Sequence, residues 1–140
     1  MADSINIFTY GSLMFPAVWQ TVVRGDYRSS PATIHGFRRV CVRDANHPAL
    51  IISARAAPIA GRVYFDVSTD DIARLDHFET DNYERVSVAV TVEGSASAGE
   101  AYLAVDTVAL TDINWNEKSF EQTGLPVFLT TYAVKNRPPN

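Results

Sequence analysis

The sequence predicts an α+β (mixed α/β) protein: a small six-stranded, largely antiparallel β-barrel with flanking short helices. Three observations carry this. Apolar and polar residues alternate along most extended stretches, most regularly where Val86, Val88, Val90 and Val92 interleave with Arg85, Ser87, Ala89 and Thr91, the period of a half-buried strand. The links between such stretches are mostly short, which pairs neighbours antiparallel. Helical spacing is confined to a few brief segments, and six short strands can curl into a barrel with helices packed outside. The chain has 140 residues, the size of one domain over 1–140, with 134–140 a loose tail.

The elements follow in order. Ser4 to Tyr10 is the first strand, with Ile5 and Ile7 on one face and Phe8 and Tyr10 on the other. It runs into Gly11-Ser12-Leu13, and Pro16 suits the first turn of a helix whose buried side is Val18, Trp19, Val22 and Val23. Gly25 is its expected stop. Ala32 to Val42 is extended, with Gly36 marking a bulge. Asp44 to Pro48 is a turn, Ala49 to Ser53 a short apolar strand, and Ala60 to Val67 the next strand. Ser68 caps a helix with Asp71 at the capping-box position, and Ile72, Leu75 and Phe78 form its apolar face. That helix ends near Phe78, because Thr80-Asp81-Asn82 is turn-forming. The valine-alternating strand follows, Gly94 to Gly99 forms a hairpin loop, and Ala101 to Val108 returns. Beyond that, Thr111 caps a short turn, Trp115 and Phe120 are bulky anchors, Gly124 ends a helix and Pro126 opens another.

Composition excludes several classes. The formal net charge is −4, with no Lys/Arg run, which argues against a nucleic-acid partner. Cys41 is the only cysteine, so neither an intrachain disulfide nor a zinc-finger-type site is available. With no His pair at ligand spacing, a metal site is not expected. No long apolar run or leader pattern occurs, and a soluble cytoplasmic protein without membrane partners is the expectation. No heptad or long amphipathic helix indicates an oligomeric state.

Glu79 is the leading candidate for chemistry. It falls at the carboxyl end of the capped helix, where the last carbonyl oxygens disfavour a carboxylate. Partial burial there raises its pKa toward neutrality, as a general base working near pH 7 requires. A solvated Glu at a frayed helix end is the competing reading, and Asp76, Asp81 and Glu84 compete for the role. The glycine turn after the first strand suits an anion or a polarised carbonyl oxygen, although a plain tight turn is the commoner explanation. Cys41 reads as a small core residue, His35 as a structural strand residue, His47 as part of an exposed turn, and His77 as lying off the apolar face of its helix. Ser12 lacks the context of a nucleophilic serine.

Two stretches together resemble the gamma-glutamylcyclotransferase-like superfamily, in its AIG2-like branch. Phe8-Thr9-Tyr10-Gly11-Ser12-Leu13-Met14 is similar to that family's strand and Tyr-Gly-Ser/Thr-Leu loop. Leu75-Asp76-His77-Phe78-Glu79, followed by Tyr83-Glu84-Arg85-Val86, is similar to its Leu-Asp-x-Phe-Glu, Tyr-x-Arg and valine-alternating strand. Gly36-Phe37-Arg38-Arg39 and Gly61-Arg62-Val63-Tyr64 match in order between them. The resemblance implies a barrel with a pocket at its mouth. It implies that Tyr10, Gly11, Ser12 and Leu13 hold a gamma-glutamyl group, and that Glu79 is the acid/base. The implied reaction is attack of the substrate's alpha-amine on its own gamma-carbonyl, releasing 5-oxoproline and an amine or amino acid, with no cofactor or metal needed. Tyr83 and Arg85 fall on one strand face, placed to orient the glutamate or line the pocket, with core packing or a surface ion pair as alternatives. The chain departs from the family at Thr80-Asp81-Asn82 and carries no matching motif after about Val105, so the gamma-glutamyl substrate is left open. The alternative functions are a non-catalytic small-metabolite binding module on the same barrel and a thiol enzyme using Cys41.

Overall fold

A computed structural model describes residues 4–105 and 109–139. The α+β architecture is as predicted, but the strands divide differently. Eight strands occur among the described residues. They are β1 (Ser4–Thr9), β2 (Ser29–Ile34), β3 (Phe37–Val42), β4 (Pro48–Ile52), β5 (Ile59–Ser68), β6 (Tyr83–Val92), β7 (Ser95–Ala104) and β8 (Leu110–Asn114). Five close into a barrel in the order β1-β5-β2-β6-β7, and the others form a three-stranded sheet, β4-β3-β8. Barrel neighbours are antiparallel except β1 and β7, which meet in parallel at Ile7 and Glu100.

The division originates at Gly36. Its φ of +84° lies in the left-handed region open to glycine, so the chain turns sharply there instead of bulging. One continuous apolar stretch thereby becomes β2 in the barrel and β3 in the second sheet. Two further expectations change. Ser95 to Gly99 is strand rather than loop, because Glu93 and Gly94, both at positive φ, make the whole hairpin turn and leave the small residues paired along β6. Leu110–Asn114 is an edge strand on β3 rather than a capped turn. The end of the expected return strand, at Asp106, Thr107 and Val108, lies outside the described residues.

Three helical regions pack outside. Helix α1 (Pro16–Val22) begins with proline, and α2 (Thr69–Glu79) begins at Ser68, whose hydroxyl accepts from the Asp71 N–H as predicted. The expected capping box is only half formed: the Ser68 N–H donates to the Tyr27 hydroxyl, and the buried Asp71 carboxylate instead accepts from the N–H groups of Arg24 and Gly25 and from that same hydroxyl. The C-terminal region comprises α3 (Glu117–Ser119), a π-turn over Phe120–Gly124, α4 (Leu125–Thr130) and α5 (Tyr132–Lys135). Gly124 therefore does not end a helix. The widened turn passes straight into α4, accommodating Pro126, which has no N–H to donate.

Strand β1 is buried on both faces, as its alternation predicts. Phe8 and Tyr10 join Ile34, Val63 and Val90 in one apolar cluster, covered by Leu50 of β4. Ile7 joins a second cluster between the barrel and the helices, with Trp19, Leu75 and Phe78. Trp19 stacks on Tyr64 with centroids 3.7 Å apart. These contacts press the carboxyl end of α2 onto the barrel mouth, where the cavity lies.

Candidate active site

Glu79 is the last residue of α2. The helix stops because Thr80 turns to φ +65°, its N–H closing on the Asp76 and His77 carbonyls. A 3-10 turn over Thr80–Asn82 then leads into β6. The side chain of Glu79 is half-buried and lines a cavity. Among the described residues no group donates a hydrogen bond to its carboxylate. Burial first, and the negative charge of Asp76 second, raise its carboxyl from 4.5 to about 8.

One wall of the cavity is the turn after β1. Tyr10, Gly11, Ser12 and Leu13 all line it, and Ser12–Met14 forms a single 3-10 turn. The glycine is required by close approach: a Cβ on Gly11 would lie 2.7 Å from Cγ and Cδ of Pro48. The Arg39 guanidinium holds the turn from behind, donating to the Tyr10 carbonyl at 2.8 Å while lying over the Trp115 ring.

Four tyrosines surround Glu79, and all four hydroxyls hold their protons more tightly than usual, chiefly through burial. Each is committed elsewhere. Tyr10 donates to the Tyr102 carbonyl, Tyr83 to the Pro48 carbonyl, Tyr132 to the Phe78 carbonyl, and Tyr102 to Asp76 Oδ1 at 2.6 Å. They fix the cavity's shape and leave the carboxyl of Glu79 for whatever enters.

Of the residues singled out in the sequence, Tyr10, Gly11, Ser12, Leu13, Glu79 and Tyr83 share this cavity. Arg85 does not. Although it lies on the same strand face as Tyr83, its guanidinium turns to Asp76, with Nε 3.1 Å from Oδ1, and to Glu100. The surface ion pair, one of the readings the sequence left open, is what forms. Asp76 is thus the shared partner of Arg85 and Tyr102, one helical turn before Glu79.

The sequence reading missed the remaining wall. His47 is not exposed: it is half-buried and lines the cavity. Its ring centroid lies 4.8 Å from Tyr132, 5.8 Å from Phe128 and 6.0 Å from Tyr83. Burial lowers its pKa to about 4, so the imidazole is neutral at pH 7. Phe128 and Tyr132 stack on each other with centroids 5.0 Å apart. No local pattern signals this wall; the nearest hint was the spacing of Phe128 and Tyr132 on one helical face. His35 lies in the exposed β2–β3 turn and not in a strand, and Cys41 is in mid-β3, away from the cavity. The free space between the walls is about 30 Å³, enough for one or two waters.

Among the described residues no cluster of three or more His, Cys, Asp or Glu side chains is placed to hold a metal ion. No helix among them is long and apolar enough to cross a membrane.

A family model described as Gamma-glutamyl cyclotransferase, AIG2-like, matches residues 7–121. The chain is 33% identical over 88 residues to Protein AIG2 C of Arabidopsis thaliana, a match spanning 63% of this chain and 53% of that protein. The chain therefore accounts for little more than half of that relative's length. A solution structure of an Arabidopsis thaliana protein superposes with a TM-score of 0.69 at 25% identity, covering 96% of this chain and 84% of the other. A structure named gamma-glutamyl cyclotransferase shares the fold, with a TM-score of 0.65 at 16% identity, covering 99% of this chain and 90% of that one.

Proposed function

The chain belongs to the Gamma-glutamyl cyclotransferase, AIG2-like family, and from that membership and the chemistry of its cavity we propose that it cyclises a gamma-glutamyl compound, with Glu79 as acid/base. The observation that carries the reading is a carboxyl held near pH 8 without a hydrogen-bond partner among the described residues, facing the Tyr10–Leu13 turn across a largely apolar cavity. Such a group can accept and return a proton near neutrality.

In the proposed reaction the gamma-glutamyl group lies along Gly11, Ser12 and Leu13, with its alpha-ammonium toward Glu79. The carboxylate form of Glu79 removes a proton from that nitrogen. The free amine attacks the gamma-carbonyl carbon, and a new C–N bond closes a five-membered ring. As the bond to the leaving nitrogen breaks, Glu79 returns that proton to it, and the ring nitrogen gives up its second proton, so that the amine departs as an ammonium ion. The products are 5-oxoproline and an amine, and no water is consumed. A cavity that holds the substrate folded supplies the proximity that ring closure needs. At pH 7 the empty site holds Glu79 mostly protonated. Entry of an ammonium group beside it favours the carboxylate and draws its pKa down, so binding itself readies the base.

The test is mass-spectrometric detection of 5-oxoproline from purified protein and a panel of gamma-glutamyl compounds, with Glu79→Gln alongside. Product from the wild type but not from the variant is the expected result. A variant as active as the wild type would refute the assignment of Glu79.

A further inference from the structure

We propose that the wall formed by His47, Phe128 and Tyr132 receives the leaving amine, and that it selects a ring-bearing amine without a carboxylate over an amino acid. The proposal rests on the cyclotransferase reading and adds to it the substrate's second half.

Charge sets the first constraint on what the wall can receive. Among the described residues Glu79 is the only acid lining the cavity, and no Lys or Arg lines it. Two guanidinium groups whose charges reach the lining tyrosines Tyr10 and Tyr102 are already engaged. Arg39 is held by the Tyr10 carbonyl and the Trp115 ring, and Arg85 by Asp76 and Glu100. His47 supplies no charge either, since burial keeps its ring neutral at pH 7. A gamma-glutamyl substrate already carries one carboxylate on its glutamyl half, for which the Gly11–Leu13 backbone is the available partner. An amino-acid leaving group brings a second one. Against the aromatic wall that second carboxylate would lose water and find no cation, an arrangement strongly disfavoured when buried.

Shape gives the complementary argument. The three rings fill this side of the cavity with contacts among themselves, His47 on Tyr132 and Tyr132 on Phe128. With only about 30 Å³ free, anything larger than water must part them. A planar ring entering between them replaces ring–ring contacts with new ones of the same kind. A small polar group breaks the contacts and restores none. The neighbouring backbone is suited to such an adjustment: α4 and α5 are separated at Thr131, whose φ of −118° and ψ of −83° interrupt the helix.

The experiment compares three compounds that isolate each element: gamma-glutamyl benzylamide, gamma-glutamyl phenylalanine (the same ring with a carboxylate added) and gamma-glutamyl methylamide (neither ring nor carboxylate). kcat/KM for 5-oxoproline release is expected to be about tenfold or more higher for the benzylamide than for either of the others. Equal or faster turnover of the phenylalanine compound overturns the proposal while leaving the cyclotransferase reading intact. Calorimetric binding of the same three compounds to Glu79→Gln makes the comparison without turnover. Tighter binding of the benzylamide supports the selectivity even if the wild type releases no product; no preference, or no binding of any of the three, overturns it. His47→Arg, which adds a cation to the wall, should shift the preference toward the phenylalanine compound in both measurements, and an unchanged ratio in a variant that folds counts against the proposal.

Discussion

The two walls of the cavity are built on different principles. The wall comprising the Tyr10–Leu13 turn and the α2–β6 junction is set by backbone. A glycine admits Pro48, Ser68 caps α2, Thr80 stops it, and the Arg39 guanidinium fixes a main-chain carbonyl. The wall comprising His47, Phe128 and Tyr132 is set by side-chain packing, ring on ring, between a turn and a helical segment distant in the sequence. The first kind of wall holds atoms to the tolerance that bond-making needs. The second can part and re-form around differently shaped groups. On the proposed cyclotransferase reading, the first wall carries the chemistry and the second the choice of leaving group.

The largest effect should come from removing the acid/base. Glu79→Gln should lower kcat by about 100- to 10,000-fold while circular dichroism and the melting curve report an intact fold. The same variant tests the proton affinity of the site. Because the folded state raises the pKa of Glu79 from 4.5 to about 8, ionisation is costlier folded than unfolded. Stability from the protonated form is full below pH 4.5 and is lost as pH rises through 8. The glutamine variant escapes that loss, so its melting temperature relative to wild type should increase between about pH 5 and pH 8 and level off above it. A constant difference would mean that Glu79 is not held in the environment described.

The next effect tests the contact between the walls. Gly11→Ala puts a methyl group 2.7 Å from the Pro48 ring, which neither the turn nor the strand-initiating proline can absorb without moving. A displacement of several tenths of an ångström at a reacting centre should cost about 10- to 100-fold in kcat/KM. Because Pro48 follows His47, the His47 ring resonances should shift with it. Lost activity with unshifted His47 resonances would show that the walls are independent.

Asp76→Asn should act more mildly and in one direction. It removes the negative charge that ranks second in raising Glu79, so the acid limb of the kcat/KM profile should move to lower pH. Burial, the larger cause, stays, so the limb should stay well above the ordinary carboxylate range. Arg85→Gln should move it the other way, because Asp76 then loses its cationic partner. Parallel shifts in the two variants would contradict the arrangement.

The first wall was legible in the sequence because its signals are local. The Ser68 cap, the Ile72–Leu75–Phe78 face and the valine alternation place Glu79 between helix and strand using fewer than thirty consecutive residues. Arg85 shows the limit of that logic. Alternation put it on the face of Tyr83, but a long side chain on that face can reach Asp76 and Glu100 instead of the cavity. The division into barrel and second sheet turned on the φ of one glycine, Gly36, and β8 is an exposed edge strand with no strong alternation of its own. His47 was beyond local reading. Its environment is supplied by Tyr83, Phe128 and Tyr132, and a histidine before a proline in a turn is ordinarily exposed. The short motifs that carried the family resemblance likewise ended before about Val105, although the family model matches as far as residue 121; beyond them side-chain packing rather than backbone geometry builds the wall.

The smallest effect separates ring from hydroxyl in that wall. Tyr132 donates to the Phe78 carbonyl at 2.9 Å across 54 residues of sequence, tying α5 to the carboxyl end of α2. Tyr132→Phe keeps the ring contacts with His47 and Phe128 and removes the tie, costing about 1 kcal/mol of stability in denaturant unfolding. If the wall works by packing, turnover of a ring-bearing substrate should change less than threefold or so, since its ring contacts persist. If the hydroxyl instead anchors a closed state around Glu79, kcat should fall well beyond that while the stability loss stays the same. Tyr132→Leu, which removes the planar ring as well, should then lower kcat/KM for ring-bearing amines further than for gamma-glutamyl methylamide. That ordering is what a side-chain-built wall demands, because only a wall made of rings distinguishes a ring from a methyl group.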